Sequence, residues 1–287
     1  MIYEKCSNVQ KELVFQAFKN GFSDYPIPFQ HTMDFFFDCF FNREGNQLEH
    51  SFIALYDDSP VGLIMGGIRD FDFYRNLRCG TLCILPEYRG QKVADQLFEL
   101  FLQNAKQENC ERISLEVLAD NHRAIRFYEK KNFAIHNKLL YYHVDGTELP
   151  STFAKYEPAY KVTELSPSTA ASFLKDQNIG HINWQNDTTY FLCDPNVHCY
   201  QYANPSSGEI KGVIAISQSG HIYQIWVVED ARRQGIATAL LLHAFDQNRA
   251  EKISLSFPNK FENLDFLSSL GFMKDPVEQY EMFYTIS

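Results

Sequence analysis

Apolar residues recur along the first half of this chain with two spacings, one typical of strands and one of helices. Alternating or short apolar runs predict strands at 1–4, 51–56, 61–65, 81–85, 112–117 and 139–143. Helical spacing predicts helices at 9–18, from Thr32 through Cys39, at 93–107 and at 123–131. The turn Asp57–Pro60 makes 51–56 and 61–65 a hairpin. The first half therefore reads as one mixed α/β unit.

The second half repeats this order of elements. It opens with a strand at 160–165 and a helix that starts at Ser166-Pro167, and it continues with a hairpin at 198–203 and 209–217, a strand at 222–228, a helix at 235–249, a strand at 252–257, a helix at 261–270 and a strand at 280–285. The stretch 146–160 has no period and contains Gly146, Pro150 and Pro158. We therefore predict an N-terminal domain at 1–145, a linker at 146–160 and a C-terminal domain at 161–287.

One motif stands at the same place in both halves. Pro86-Glu-Tyr-Arg-Gly-Gln-Lys-Val-Ala94 and Glu229-Asp-Ala-Arg-Arg-Gln-Gly-Ile-Ala237 each join an apolar strand to a long helix. The first turn of a helix has unpaired N–H groups and the positive end of the helix dipole, so such a turn suits an anion such as a phosphate. The sequence predicts two related phosphate-binding turns.

Composition narrows the class of protein. No apolar run reaches the length of a membrane helix, and the N-terminus has no apolar signal core, which together predict a cytoplasmic protein without membrane association. Seven cysteines without a Cys-x-x-Cys pair indicate reduced thiols. The net charge of −10 is shared by both halves without a basic stripe, which argues against nucleic acid. Cys79 and Cys83 would share one face of a strand but have no third ligand, so we predict no metal site.

The element order, with Arg-x-x-Gly-x-Ala after the fourth strand, resembles the GNAT acyltransferase superfamily over nearly the whole chain, twice. The resemblance implies an α/β fold of two tandem domains, each a mixed, mostly antiparallel, splayed sheet flanked by helices. It also implies acetyl-CoA as the cosubstrate, with its pyrophosphate on the turn amides and its pantetheine arm between the fourth and fifth strands.

A second segment of the first half is similar to the family's Asn-x-x-Ala-x-x-x-Tyr-x-x-x-Gly-Phe, and it runs from Asn121 to Phe133. By this resemblance, Asn121 binds a pantetheine amide, and Tyr128 is the catalytic acid that protonates the departing thiolate. Lys92 replaces a family Gly in the turn. Asn132 replaces the Gly before Phe133, and we expect it to keep the helix stop because Asn tolerates positive φ. The cofactor-binding residues are then Ile84, Leu85, Arg89, Gly90, Gln91, Lys92, Val93, Ala94, Asn121 and Tyr128 in the first half, and Val227, Arg232, Arg233, Gln234, Gly235, Ile236 and Ala237 in the second.

The second half has the complete turn, but Leu267 stands where the family has Tyr. This favours catalysis in the first domain, although a C-terminal site using Tyr280, Tyr284 or water stays open. Candidates for the base that deprotonates the amine are Glu116, Asp24, Tyr25 and His31. A backbone N–H near Ile84 or Leu85 is a candidate oxyanion donor.

The expected function is an N-acetyltransferase in which a primary amine attacks acetyl-CoA directly in a ternary complex. The alternatives are a CoA-binding sensor or structural protein without catalysis, and catalysis in the C-terminal domain. The acceptor, a small-molecule or peptide amine, and the oligomeric state are not fixed by the sequence.

Overall fold

The computed structural model describes residues 1–24, 30–146, 161–204, 206–259 and 264–286. The chain forms two compact units. Unit 1 comprises Met1–Val117, Asn121–His136 and Tyr280–Ser287, and unit 2 comprises Leu118–Asp120 and Asn137–Gln279. Of the predicted linker 146–160, only Gly146 lies within the described residues, and the start of the predicted helix 261–270 also lies outside them.

The strands are β1 (Ile2–Lys5), β2 (Gln47–Tyr56), β3 (Ser59–Phe71), β4 (Tyr74–Ile84), β5 (Arg112–Leu118), β6 (Ala134–Asp145), β7 (Lys161–Leu165), β8 (Val197–Ala203), β9 (Ile210–Ser217), β10 (His221–Val227), β11 (Lys252–Pro258) and β12 (Met273–Thr285). The helices are α1 (Lys11–Gly21), α2 (Met33–Phe36) with a π-helical extension (Phe37–Arg43), α3 (Val93–Gln107), α4 (His122–Glu129), α5 (Pro167–Lys175), α6 (Thr188–Leu192), α7 (Ile236–Asn248) and α8 (Leu264–Ser269).

The sheet of unit 1 has the order β1-β2-β3-β4-β5 and continues into residues 280–285 of β12. Neighbouring strands are antiparallel from β1 to β4, and β4 and β5 are parallel. Alternation along β3 divides its side chains between two cores. Ile64 packs with Leu97 and Phe101 of α3, whereas Leu63 packs on the opposite face with Phe18 of α1. The sheet is therefore covered by helices on both faces.

Unit 2 repeats this architecture with the sheet order β6-β11-β10-β9-β8-β7. β10 and β11 are parallel, and the other neighbours are antiparallel. Along β9, Ile214 packs with Leu240 of α7, and Val213 packs on the other face with Leu174 of α5. The expected fold class, two α/β domains with mostly antiparallel sheets flanked by helices, is confirmed.

The last strands of the two halves do not stay with the half that precedes them. Residues 139–145 of β6 pair with β11 in unit 2, from Leu139 opposite Pro258 to Asp145 opposite Lys252. Residues 280–285, the end of β12, belong to unit 1, where Met282 is fully buried in the core. The predicted division at 145 and 161 differs from this arrangement, because local periodicity predicts a strand but does not say which sheet it joins.

Candidate functional site

The turns that precede α3 and α7 share one backbone conformation. Gly90 and Lys92 have φ of 79° and 63°, and the matching Arg233 and Gly235 have φ of 62° and 81°. Each turn therefore needs the left-handed region twice, and each supplies glycine at only one of the two positions. Lys92 keeps the turn geometry that the family's glycine would give, at a cost in backbone strain.

Both turns leave backbone N–H groups without an intrahelical partner at the N-terminus of a helix. The first hydrogen bond that α3 closes runs from Gln96 N–H to the Lys92 carbonyl at 3.1 Å, and in α7 it runs from Ala239 N–H to Gly235 at 2.9 Å. The amides before these donors precede the first intrahelical bond, as at any helix N-terminus. In unit 1 they include those of Val93 and Ala94, which sequence analysis assigned to the cofactor. The backbone thus fits a diphosphate group at this place.

The arginine side chain of each turn forms hydrogen bonds with other groups of the same unit. Arg89 Nε donates to the Ile84 carbonyl at 3.0 Å, and its Nη2 donates to Gly21 at 3.1 Å and to Asp24 Oδ1 at 2.8 Å. In unit 2, Arg232 Nε donates to the Val227 carbonyl at 3.1 Å. Both guanidinium groups therefore fasten the turn to the end of the preceding strand.

The other predicted turn residues lie around these groups. Gln91 Nε2 donates to the Glu87 carbonyl at 2.8 Å, and Gln234 Nε2 donates to Asp230 at 3.3 Å. Ile236 is buried and Ala237 is half-buried at the start of α7.

The two parallel strands of each unit separate next to the turn. β4 and β5 pair from Asn76–Arg112 to Cys79–Leu115 and then diverge, although β4 continues to Ile84 and β5 to Leu118. β10 and β11 pair only as far as Ile222–Leu255. Beyond these points β4 stays paired with β3 on one side and faces the opening on the other. An extended ligand such as a pantetheine arm has room to pair with that free edge.

A β-bulge marks the point of separation in unit 1. Met65 pairs with Thr81 and Gly66 with Cys79, which leaves Gly80 without an opposite residue. The bulge reverses the alternation. Cys79 lies in the core beneath α3 and α4, and Cys83 lies in the opposite core against α1. The expectation that these cysteines share a face was therefore wrong.

Tyr128 extends from α4 to the point where β4 and β5 separate. Its hydroxyl lies 3.9 Å from Cys79 Sγ, and the side chain is buried. Asn121 is the N-cap of α4, where its Oδ1 accepts from Ala124 N–H at 3.1 Å. Asn132 ends the helix with φ of 66°, as expected, and Phe133 N–H returns to the Tyr128 carbonyl. The two caps fix the length of α4 and with it the position of the phenol.

Burial raises the pKa of Tyr128 well above its ordinary value, and the neighbouring Cys79 adds to this effect. The phenol therefore keeps its proton. Burial also raises the pKa of the Cys79 thiol to about 12. A sulfur anion is thus strongly disfavoured beside the Tyr128 hydroxyl. Any thiolate released at this place would take up a proton readily, so a weakly acidic phenol is a sufficient donor.

Glu116 is the first residue of β5 after the last β4–β5 pair, and its side chain is only 6% exposed. Its Oε2 accepts from Arg78 Nη2 at 3.1 Å, whereas its buried Oε1 has no hydrogen-bond partner among the described residues. Arg78 also binds Glu44 at 3.1 Å. Burial raises the pKa of Glu116, Arg78 lowers it, and Glu281 of β12 and Glu44 raise it further.

The other predicted bases have different surroundings. Asp24 is bound to Arg89, and the hydrogen bond from Arg89 lowers its pKa. The His31 ring stacks on Phe35 at 4.1 Å between centroids. Tyr25 lies outside the described residues. Of the two expected oxyanion donors, Leu85 is excluded because its N–H donates to the Val61 carbonyl at 2.9 Å, and the N–H of Ile84 stays a prediction.

Other residues stand at the two positions of unit 2 that match Tyr128 and Glu116. Leu267 is buried in the core at the position that matches Tyr128, and Phe272 N–H returns to its carbonyl as Phe133 N–H does in unit 1. Ser256 follows the last β10–β11 pair as Glu116 follows the last β4–β5 pair, and its Oγ accepts from Asn186 at 3.0 Å. Tyr280 and Tyr284, the donors suggested for the C-terminal domain, belong to unit 1.

Two family models match the chain. The acetyltransferase (GNAT) family matches residues 15–133, and an acetyltransferase (GNAT) domain matches residues 170–283. The chain is a tandem GNAT-superfamily acetyltransferase. The recognition made from the turn and the Asn–Tyr segment is thereby confirmed, and so is the expectation of an acyltransferase. GNAT proteins use acetyl-CoA as cosubstrate.

Curated relatives match part of this GNAT chain. N-alpha-acetyltransferase 30 of Schizosaccharomyces pombe is 34% identical over 104 residues, which cover 35% of this chain and 67% of the relative. An N-alpha-acetyltransferase of Saccharolobus solfataricus is 37% identical over 106 residues, which cover 34% of this chain and 64% of the relative. The matches thus span about two thirds of each relative.

Solved structures match the whole chain at the level of the fold. A GCN5-related N-acetyltransferase of Sphaerobacter thermophilus superposes with a TM-score of 0.70 at 12% identity, covering 99% of this chain and 95% of that one. A tandem GNAT protein from the clavulanic acid biosynthesis pathway gives a TM-score of 0.70 at 12% identity, covering 99% and 97%. Both structures therefore share their fold with nearly the full length of this chain.

Two features are absent from the residues that the structure describes. No helix there combines the length and the apolar composition that a membrane span needs. Within the same ranges, His, Cys, Asp and Glu side chains form no group of three suited to hold a metal ion.

Sequence analysis missed three residues around Glu116, namely Arg78, Glu44 and Glu281. Arg78 and Glu116 both carried a signal, since each is a charged residue between two apolar positions of a strand. Glu281 carried none, because only the path of β12 brings it to unit 1.

Proposed function

We propose that unit 1 transfers the acetyl group of acetyl-CoA to a primary amine, and that the acceptor is the α-amino group of a peptide. The observation that carries the proposal is the Tyr128 hydroxyl at the separation of β4 and β5, with Glu116 adjacent to the same opening. The names of the curated relatives, which are N-alpha-acetyltransferases, support the class of acceptor.

Each residue has one task in this reaction. The pyrophosphate binds the turn amides, which are those of Gly90, Gln91, Lys92, Val93 and Ala94. The pantetheine arm binds the free edge of β4 from Thr81 to Ile84 and the Asn121 side chain, and Leu85 lines the end of that edge. Acetyl-CoA, when bound, supplies the acetyl group as a thioester. Glu116 accepts a proton from the substrate ammonium through its unpartnered Oε1, and the neutral amine that results attacks the thioester carbonyl. As the C–S bond breaks, Tyr128 gives its proton to the leaving sulfur, and the newly acetylated nitrogen releases its surplus proton to solvent.

The two protons have separate routes because the two groups lie on opposite faces of the sheet. Tyr128 packs with Cys79 in the core beneath α3 and α4. Arg78, the partner of Glu116, precedes Cys79 on β4, so its side chain points to the other face. The amine therefore approaches from the α1 and α2 face, opposite the departing sulfur.

Unit 2 supports a second, more limited role. Its turn has the same two left-handed positions as that of unit 1, but Leu267 and Ser256 replace the acid and the base. We propose that Val227, Arg232, Arg233, Gln234, Gly235, Ile236 and Ala237 form a CoA-binding turn without acetyl transfer. Equilibrium dialysis that finds two moles of CoA per mole of chain would support this, and one mole would contradict it.

The test of the main proposal uses the whole chain, acetyl-CoA and paired peptides, while free thiol is followed. One peptide has a free α-amine and a blocked lysine, and its pair has the reverse. Thiol release with the first peptide alone is the expected result. Release with the second alone would move the acceptor to lysine, and no release with any amine would refute the transferase assignment for this chain.

The Tyr128→Phe variant tests the acid. We expect kcat to fall by about 100-fold or more, with the acetyl-CoA Kd within about twofold, because the lost hydroxyl acts on the leaving group and not on the ground state. Tyr284→Phe is the matched control, since Tyr284 lies in the same core with its ring 5.7 Å from Phe133. Equal turnover of Tyr128→Phe and wild type would remove Tyr128 from the mechanism.

A further inference from the structure

The last strand of the chain brings a carboxylate to the candidate site of unit 1. Glu281 lies on β12 next to β5, and it is only 2% exposed. Its neighbour Met282 packs in the core with Tyr128, so the alternation of the strand places Glu281 on the opposite face. That face also holds Arg78 and Glu116.

Glu116 differs from an ordinary buried ion pair in one respect. Arg78 binds its Oε2, but its Oε1 is buried and has no hydrogen-bond partner among the described residues. A buried carboxylate oxygen without a donor is costly, and such groups are found where function requires them. It lies beside the opening between β4 and β5, where an incoming amine would supply the missing donor.

We propose that Glu281 is a positioning residue of the acetyl-transfer site, whose negative charge opposes that of Arg78 and so keeps Glu116 a strong acceptor for the proton of the amine. This inference rests on the proposed function. The inference extends the proposed function, because it gives a role in unit 1 to a residue from the last strand of the chain.

The charges that act on Glu116 come from three elements. Burial has the largest effect and raises the pKa of Glu116, and Arg78 of β4 lowers it. Glu281 of β12 and Glu44, which follows the π-helical segment, raise it further. The ion pair with Arg78 acts against burial, because a carboxylate paired with arginine holds a proton poorly. Like charge from Glu281 offsets that effect, which is the arrangement that a general base needs near neutral pH.

The test replaces the charge and keeps the shape. In Glu281→Gln, the Glu116 carboxyl should titrate about one pH unit lower than in wild type, since a like charge has been removed. Carbon NMR of protein labelled at glutamate carboxyl groups follows this midpoint, with Glu116→Gln identifying the signal. Glu281→Asp keeps the charge and should titrate near wild type. Glu278→Gln, on the same strand but bound to Lys138 and Lys274, should not shift it.

Activity gives the second readout. The acid limb of kcat/KM should move to lower pH by about the same amount in Glu281→Gln, and the plateau kcat should fall about threefold because the base is weaker. Two acceptors that differ in amine pKa separate the limb of the enzyme from that of the substrate. Thermal melting of each variant reports any loss of folding.

The outcomes separate the two proposals. An unshifted Glu116 midpoint in Glu281→Gln overturns the inference, and so does a shifted midpoint with an unmoved pH profile. A Glu281→Asp variant that resembles Glu281→Gln would show that shape rather than charge matters, and would also overturn it. Absence of transfer by wild-type protein would overturn the proposed function, whereas the NMR titration would still report whether Glu281 acts on Glu116.

Discussion

Replacing Lys92 by glycine tests whether the phosphate turn is strained. Lys92 has φ of 63° and is exposed, so its replacement removes few packing contacts. A left-handed conformation costs a residue with a side chain about 1–2 kcal/mol. Glycine avoids this cost, but its greater freedom in the unfolded chain offsets about 0.5–1 kcal/mol. Lys92→Gly should therefore stabilise unit 1 by about 1 kcal/mol.

The matched variant is Lys92→Ala, which removes the same charge but keeps a Cβ. It should gain nothing, because alanine is also disfavoured at positive φ. Urea unfolding followed by tryptophan fluorescence is unsuited to this test, since both tryptophans, Trp184 and Trp226, lie in unit 2. Hydrogen exchange of the buried amides of α3 and β4 reports unit 1 directly. A Lys92→Ala protein as stable as Lys92→Gly would refute the strain argument.

The same pair separates the backbone from the side chain in ligand binding. Our proposal gives acetyl-CoA to the turn amides, so both variants should bind it if the amides suffice. An equal loss of affinity in both would show that the ammonium contacts a phosphate. A loss of acetyl-CoA affinity in Lys92→Ala alone could not be due to the missing charge, since both variants lack it. That result would contradict the view that the turn is a preformed binding site. Isothermal titration calorimetry measures these affinities.

Two further predictions follow from burial. Met282→Ala should lower the free energy of unfolding by about 2–5 kcal/mol and increase hydrogen exchange in unit 1, because Met282 is fully buried there. The control is Met273→Ala, on the same strand but 49% exposed, which should change stability by less than about 0.5 kcal/mol. Similar effects of the two variants would contradict the path of β12. In native protein at pH 8, iodoacetamide should alkylate the exposed Cys193 and leave Cys79 and Cys83 unmodified, because burial raises the pKa of each buried thiol to about 12. Mass spectrometry measures the labelling, and rapid modification of either buried thiol would refute this prediction.

Much of the fold was predictable because local signals determine it. The helix at 93–107 has the predicted bounds, Thr32 and Ser166 cap helices as expected, and Asn132 ends α4 at positive φ. These features depend on residues close in sequence, namely apolar spacing, caps and turn formers. The repeated turn was found for the same reason.

The remaining features depend on contacts that sequence spacing does not encode. The runs at 139–143 and 280–285 were predicted as strands, but each pairs away from its own half. The bulge at Gly80 moved Cys83 to the opposite face from the one that simple alternation gives. The roles of Arg89 and Glu281 were hidden because their partners lie on other elements of unit 1. Candidate chemistry was thus predictable where it follows a motif, and unpredictable where tertiary pairing creates it.

The path of β12 has a consequence for biosynthesis. Unit 1 includes residues 280–287, so a nascent chain that has emerged from the ribosome only as far as β11 does not yet contain that strand. The core around Tyr128 then lacks Met282, and Glu116 lacks the neighbouring carboxylate of Glu281. The order of synthesis and the order of folding therefore differ, because the half translated first is completed last. Premature translation stops anywhere before Tyr280 would leave the candidate site of unit 1 without Glu281 and Met282.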